Sequence, residues 1–340
     1  MIYSARGSGD RNRRRFSASA ARDSSTVNSS PTFPEKITRR EMKVAIRRSG
    51  YLLEQRVAAT IRDNGYHVET NPSFKDPLTG KSREYDVSAV IVFDLLGRKR
   101  KIDFLWFHIL CECENNEQPV VFFEDEPADP DLIHLGIVCS GLPLRFRKRN
   151  QTVDISEFLH FDGFHHSWKW PCATQYCSFQ RKHQNAPWIA LHDEAHHATV
   201  TNLLAALECE IDEHYGLLEK GRFSRDTASV SVYYPLLVLG GPLYLARESK
   251  RGLVLHPRSY LQYKKETWVG ERRSEYRVDV IQEGYVPRYL RILEKELREI
   301  RKAAEMKKVD FLLGLTRELD KLSPRRKSAP IRILLDPRFE

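Results

Sequence analysis

A dense apolar segment that ends in acidic residues, residues 103–123, constrains this chain more than any other part of the sequence. Its letters, DFLWFHILCECENNEQPVVFF, begin with aromatic and aliphatic side chains, which is typical of a buried strand. The run closes with Glu112 and Glu114, and Asn115-Asn116 then marks a turn. Side chains alternate along a strand, so both carboxylates are predicted on one face. Two like charges at the end of a buried strand are costly unless a cation neutralises them, which indicates a metal site.

The bulk composition excludes several classes of protein. The chain has 340 residues, 30% of them charged, and a mean hydropathy of −0.52, which predicts a soluble protein with a sizeable core. No apolar run is long enough to cross a bilayer, and the first residues lack the apolar stretch of a secretory signal. Six cysteines in so long a chain do not suggest a disulfide framework. We therefore expect a cytoplasmic location and no membrane partner.

Positive charge and composition divide the chain. Residues 1–50 contain 12 lysines and arginines against 4 acids, whereas the whole chain has a formal net charge of +9, so the remainder is nearly neutral. Five segments are predicted: a disordered basic tail (1–37), a core (38–130), a His/Cys/Trp-rich insertion or helical segment (131–222), a β-rich segment with a long helix (223–312) and a basic C-terminal tail (313–340). The arginines of the N-terminal tail are expected to attract phosphate loosely, with a solubilising segment as the alternative.

Hydrophobic periodicity predicts an α/β or α+β fold with a mixed central β-sheet flanked by helices. The predicted helices are 38–64, with a weak point at Gly50, 203–218 and 286–307. Besides the acidic strand, the predicted strands are 66–71, 83–93, 229–239, 242–247, 253–256 and 276–281. Residues 120–123 are predicted as a further short strand or as the lead into a helix. Glu54 falls on the apolar stripe of the first helix. Asp86 lies in strand 83–93, on the same face as Glu84, which is the alternative candidate for the same role in the site.

Three acidic features together resemble the PD-(D/E)xK nuclease superfamily, which has the restriction-endonuclease-like fold. They are a Glu on a first helix, an Asp in an EYD strand, and a buried strand ending in ECE before the apolar PVVFF. The resemblance covers residues 40–125 and implies a restriction-endonuclease-like core with a C-terminal β-rich extension. It makes Glu54 the helix acid, Asp86 the strand acid and Glu112 the first residue of the E-x-K signature. Glu114 stands where the family has lysine, which is a departure from the pattern.

The resemblance implies metal-dependent hydrolysis of phosphodiester bonds in nucleic acid, with DNA preferred by family analogy. Asp86 and Glu112 are then expected to hold Mg²⁺ or Mn²⁺, helped by the main-chain carbonyl of Cys113. Glu54 is expected to reach this ion through water or to hold a second one. The family's lysine orients the attacking water and stabilises developing charge. Glu114 carries no positive charge with which to stabilise the developing negative charge, so it is expected to act as a general base or as a ligand of a second ion.

Two other functions stay open at the level of the sequence. Degenerate members of the superfamily also lose the lysine, so the alternative is a catalytically silent module that binds nucleic acid or a protein partner. A structural Zn²⁺ site is the other alternative, suggested by Cys172-x4-Cys177 and by nearby histidines. Among these, His192 and His196 are four residues apart and could share a helix face. The metalloprotease pattern is not met, because the residue after His192 is aspartate rather than glutamate.

The loop that enters the acidic strand is strongly basic. Its residues Arg98, Lys99, Arg100 and Lys101 are the predicted contacts to nucleic acid phosphates, with solvated loop charge as the alternative. Nothing in the sequence decides the oligomeric state, and a homodimer is left open.

Overall fold

The structure, a computed structural model, describes residues 36–77, 79–94, 103–125, 136–140, 145–148, 151–154, 170–192, 194–219, 228–269, 272–306 and 331–333. Contacts divide the chain into residues 1–42 and residues 43–340. Of the first unit only residues 36–42 are described. There, Thr38 N donates to Glu41 Oε2 (2.8 Å) and Glu41 N donates to Thr38 Oγ1 (3.2 Å), a capping box. The rest of the predicted basic tail and the basic loop 98–101 lie outside the described residues.

Four α-helices and seventeen strands occur in the described part of the chain. The helices are α1 (Arg39–Arg48), α2 (Tyr51–Asp63), α3 (Glu194–Glu219) and α4 (Val286–Met306), with a 3-10 turn at Glu283–Tyr285. The strands are β1 (His67–Thr70), β2 (Ser73–Lys75), β3 (Ser82–Glu84), β4 (Val87–Asp94), β5 (Asp103–Glu114), β6 (Val120–Glu124), β7 (Gly136–Ser140), β8 (Arg145–Lys148), β9 (Gln151–Asp154), β10 (Cys172–Gln180), β11 (Ile189–Leu191), β12 (Ala228–Leu239), β13 (Leu243–Ser249), β14 (Gly252–Arg258), β15 (Tyr260–Val269), β16 (Arg272–Gln282) and β17 (Ile331–Ile333). None of the described helices is both long and apolar enough to span a bilayer.

Thirteen of these strands form one mixed sheet, with the order β1-β4-β5-β12-β16-β15-β10-β6-β13-β14. β11 pairs with β10, and β7 pairs with both β12 and β17. β1, β4 and β5 are antiparallel neighbours, whereas β12 runs parallel to β5 and β16 runs parallel to β12. The predicted mixed sheet flanked by helices is confirmed. Every predicted segment after the N-terminal tail contributes strands to it.

Helices cover both faces of this sheet. One apolar cluster joins α2 and α4 to the sheet and includes Leu53, Leu293 and Phe107. The other joins α3 to the opposite face and includes Leu204 and Leu110. β5 therefore presents alternate side chains to two separate helix layers, which explains why its sequence is apolar at almost every position. Each such buried side chain contributes about 1.5–3 kcal/mol to folding.

The single strand predicted for residues 83–93 is wrong, because the chain bends there. β3 pairs with β2, whereas β4 pairs with β1 and β5. At the bend Tyr85 is buried, and its hydroxyl donates to Glu210 Oε1 of α3 (3.0 Å). The bend lets Tyr85 enter the α3 layer and separates Glu84 from Asp86. The predicted common face of these two acids is therefore also wrong, since Glu84 is exposed on a different pair of strands.

The helix predicted at 38–64 is interrupted at its predicted weak point, Gly50. α1 ends because the side-chain amide of Asn115, in the turn after β5, donates to the last carbonyls of that helix. Its Nδ2 lies 3.1 Å from Arg47 O and 3.2 Å from Arg48 O. The turn that follows the acidic strand thus also ends the first helix, and α2 starts afresh at the next residue after Gly50.

The remaining elements agree with prediction to different degrees. The long helix predicted at 286–307 and the strands at 229–239 and 276–281 are confirmed within a few residues. α3 begins nine residues before the predicted start at 203. β15 was missed, because YLQYKKETWV carries several charged residues that strand propensity disfavours. In the structure one of these charges is paired: Lys264 Nζ lies 2.9 Å from Glu275 Oε2 of β16.

A buried hydrogen bond under α4 leads to a stability prediction. Tyr289 and Asp279 are both fully buried, and the tyrosine hydroxyl donates to Asp279 Oδ2 (2.8 Å). Removing the hydroxyl deprives a buried carboxylate of this donor, so Tyr289→Phe is expected to destabilise the fold by about 1–3 kcal/mol. The control is Tyr244→Phe, at a half-buried tyrosine of β13, with an expected change below about 0.5 kcal/mol. Urea unfolding of the two variants measures the difference, and equal midpoints would contradict it.

Candidate functional site

Two of the predicted acids meet where β4 begins and β5 ends. The antiparallel register pairs Val87 with Cys111, so Asp86, one residue earlier, falls opposite Glu112. Residues opposite each other in antiparallel strands share a face, and here the two carboxyl groups are joined by a hydrogen bond. Asp86 Oδ2 also accepts a hydrogen bond from the main-chain N–H of Cys113 (2.7 Å). β-sheet pairing therefore fixes the position of both acids.

Glu54 reaches the same place from α2, in the opposite helix layer. It lies in the first turn of that helix, and its carboxylate is close enough to Asp86 for the two charges to repel. A side chain at Gly50 would place its Cβ 2.9 Å from Glu54 Oε1 and 3.9 Å from the carbonyl oxygen of Cys113. The glycine thus leaves open the space between the helix acid and the carbonyl predicted as a metal ligand.

α3 supplies two polar groups to the same end of the sheet. Asn202 Nδ2 donates to Glu112 Oε1 (2.7 Å) and to the main-chain oxygen of Glu84 (2.8 Å). His196, in the first turn of α3, places Nδ1 against Glu114 Oε2 in an ion-pair contact. Sequence pattern does not indicate Asn202, and it suggests His196 only as a zinc ligand. A single asparagine in a helix carries no motif, so only the fold reveals its role.

The acids at this site destabilise one another's charged forms. Burial, followed by the charge of Asp86, raises the pKa of Glu112 to about 8. Burial also raises the pKa of Asp86, against the opposing effect of the Cys113 N–H. Glu54 has a raised pKa as well, from burial and then from the charge of Asp86. The hydrogen bond from Asn202 lowers the pKa of Glu112 but does not cancel the effect of burial.

The chemistry of this donor set suits a hard divalent cation. Asp86, Glu112 and Glu54 offer carboxylate oxygens and Cys113 offers a carbonyl oxygen, the ligand types that Mg²⁺ and Mn²⁺ prefer. Among the described residues no three Cys, His, Asp or Glu side chains already surround a common point as a finished metal site. Burial raises the pKa of both Asp86 and Glu112, so metal binding would have to displace a proton from this pair. Their mutual repulsion favours that exchange.

For the zinc alternative, too, the described residues contain no finished metal site. Cys172 is buried and Cys177 is half-buried on β10, and neither belongs to a group of three potential ligands in the described chain. His192 precedes the first turn of α3, so the prediction that His192 and His196 share a helix face is wrong. The histidines at 160–166 lie outside the described residues.

The candidate site is therefore the acidic end of β5, reached by α2 from one helix layer and by α3 from the other. Its centre is the pair Asp86 and Glu112, with Glu54 and Glu114 beside it. Compared with models of protein families, with curated proteins and with solved structures, the chain matches none.

Proposed function

We propose that this protein is a divalent-metal-dependent nuclease of the PD-(D/E)xK kind that hydrolyses phosphodiester bonds in nucleic acid, with DNA as the preferred substrate. The observation that carries the proposal is the meeting of Asp86 and Glu112 at the ends of two paired strands, in surroundings that penalise their negative charge. The order of elements also supports it. A helix carries Glu54, a strand starts just after Asp86, and the next strand of the sheet ends in Glu112-Cys113-Glu114.

The position of the site in the sheet is a second line of support. β5 and β12 are parallel, with Glu114 paired to Leu239, so both strands end at the same edge. Ligands of α/β sheets commonly bind at the carboxyl edge of parallel strands, where helix N-termini also point. α3 begins at this edge, and its N-terminal turn carries His196. An anionic substrate is therefore compatible with the site in spite of its carboxylates, once a cation is bound.

Hydrogen-bond donors of the protein hold the acids in the orientation that this chemistry needs. A divalent cation held by Asp86, Glu112, the Cys113 carbonyl and Glu54 would polarise the phosphate and lower the pKa of water. The Cys113 N–H orients the carboxylate of Asp86, and Asn202 orients that of Glu112. Both donors belong to packed elements, so the acids keep their directions without further ordering when substrate binds.

The proposal is tested by incubating the purified chain with supercoiled DNA, linear DNA and single-stranded RNA. We expect cleavage with Mg²⁺ or Mn²⁺, none with EDTA, and a faster rate on DNA than on RNA. Absence of cleavage with Mg²⁺, Mn²⁺ and Co²⁺ would contradict the proposal. Retained DNA binding under those conditions would instead favour a silent binding module, the function that Glu114 in place of lysine would suit.

A glycine variant tests whether the position of Glu54 matters. Gly50→Ala brings a methyl group within 2.9 Å of Glu54 Oε1, so the carboxylate must move. Since the end of a flexible side chain gives way cheaply, stability is expected to change by less than about 1 kcal/mol. Cleavage is expected to fall about 10- to 100-fold, because displaced ligands cost orientation. The control is Gly284→Ala, where an added Cβ meets nothing within 4 Å. Equal cleavage rates in Gly50→Ala and Gly284→Ala would argue against a role for Glu54 in the site.

A nucleic acid partner and a reducing, cytoplasmic compartment belong to the same proposal. Cys111 and Cys113 are buried free thiols whose sulfur atoms lie 3.8 Å apart on the strand that carries Glu112, which suits a compartment that keeps thiols reduced. The homodimer stays a prediction.

A further inference from the structure

The group that replaces the signature lysine is itself paired with a side chain from another element. Glu114 occupies the lysine position, and its Oε2 contacts Nδ1 of His196. Both side chains are mostly buried, with 12% of the glutamate and 15% of the histidine exposed. The contact thus joins a histidine to the end of β5 at the point where the family pattern has a cation.

This pair differs from an ordinary surface ion pair in its surroundings. α3 runs beside β5 so that His196 meets Glu114 while Asn202, further along the same helix, meets Glu112. The imidazole ring also lies 6.1 Å from the ring of Tyr176 on β10. Contacts from two strands therefore hold the histidine beside the paired acids. Ion pairs on an exposed surface lack such contacts and contribute little to stability.

We propose that His196, held by Glu114, takes the place of the missing lysine by orienting the attacking water, toward which it acts as general base. This inference rests on the proposed nuclease function. A carboxylate against Nδ1 favours the proton on that nitrogen and makes Nε2 the proton-accepting atom of the ring. Glu114 is then a positioning residue, which acts through His196 rather than on the substrate.

The step balances with groups at hand. The water oxygen attacks phosphorus and forms a new P–O bond, while the bond from phosphorus to the leaving sugar oxygen breaks. His196 Nε2 accepts the proton that the water loses, and the leaving oxygen takes a proton from solvent. His196 then returns its proton to solvent, so the chain ends unchanged.

The first test compares His196→Ala with His192→Ala in Mn²⁺-dependent cleavage of linear DNA. His192 is a matched control, since it is exposed and packs 4.8 Å from the same Tyr176 ring. We expect His196→Ala to lower kcat about 100-fold or more with little change in KM, and His192→Ala to keep the wild-type rate. Added imidazole should restore the His196→Ala rate at least about tenfold, which a structural role would not produce.

The second test restores the family pattern. Adding Glu114→Lys to the His196→Ala variant supplies a cation at the signature position, and we expect cleavage to recover at least about tenfold. His196→Gln repeats the comparison with a side chain that keeps polar contacts, should the alanine variant fold poorly. Cleavage by His196→Ala or His196→Gln at the wild-type rate would overturn the inference alone. Loss of activity that neither imidazole nor Glu114→Lys reverses would also overturn it. A wild-type chain inactive with every metal would overturn the proposed function itself.

Discussion

Asp86→Asn is expected to lower metal-dependent cleavage about 1,000-fold, equivalent to about 4 kcal/mol of activation free energy, while leaving the fold intact. The asparagine keeps an oxygen that can accept the Cys113 N–H, and it matches aspartate in size. It removes one negative charge from a site whose acids repel one another, so the metal-free variant should melt no lower than the wild type. Loss of rate without loss of stability would place Asp86 in the catalytic site and exclude a purely structural role.

The matched control for this variant is Glu84→Gln. Glu84 lies two residues before Asp86, and sequence pattern alone does not separate the two acids. In the structure Glu84 is exposed on β3, and only its main-chain oxygen contacts the site, through Asn202. Its side-chain charge is therefore expected to change the rate by less than about threefold. Cleavage assays at saturating Mn²⁺ compare the variants, and a loss in Glu84→Gln as large as in Asp86→Asn would refute the assignment.

The acidic strand itself could be predicted from sequence, because its apolar run, its closing acids and the Asn-Asn turn all indicate the same element. β5 ends at Glu114, where the turn signal predicted. The interruption at Gly50 was also predictable, since glycine weakens a helix. Its structural cause was not, because the amide that ends α1 belongs to Asn115, which lies far along the chain.

Local sequence pattern could not predict that Asp86 would lie opposite Glu112. Asp86 faces Glu112 because β4 starts after the bend at Tyr85, and an unbroken strand would have put Glu84 on the same face. Strand register is set by pairing with distant segments and by burial of particular side chains. The pattern predicted which residue types form the site, and the tertiary structure decides between neighbouring candidates.

The groups on α3 could not be predicted for a related reason. Asn202 lies 90 residues after the glutamate that it contacts, and the predicted helix began one residue later. Sequence pattern indicates His196 only through its spacing from His192, and the two residues do not share a helix because α3 starts at Glu194. Polar side chains on helices are mostly solvated. Only packing against β5 shows which of them face an acid.

Glu112→Gln is expected to stabilise the metal-free protein at pH 8 and to remove a pH dependence that the wild type shows. Burial and the charge of Asp86 raise the pKa of Glu112 from 4.5 to about 8 in the folded state. Between these values the folded chain keeps a proton that the unfolded chain has lost. The wild type is therefore most stable below the lower value, loses stability as the pH rises toward 8, and changes little beyond it.

Glutamine removes this loss because it is neutral at every pH. Its amide can still donate to Asp86, and its oxygen can accept from Asn202. We expect the variant to exceed the wild type by about 1–3 kcal/mol at pH 8 in EDTA and to match it near pH 5. Urea unfolding at the two pH values measures the difference, with Glu84→Gln, an exposed acid, expected to follow the wild type.

Divalent metal should make the wild type more stable than Glu112→Gln, the reverse of their order in EDTA. In the wild type, a cation that displaces the proton of Glu112 stabilises the folded state by mass action, and more strongly at pH 8 than at pH 5. Glu112→Gln lacks one of the ligand charges, so Mn²⁺ should raise its melting temperature far less. Parallel slopes of stability against pH in both proteins would show that Glu112 is not a buried acid of this kind. If the site binds a cation, the wild type should be less stable without metal than with it, because its proposed carboxylate ligands then repel one another.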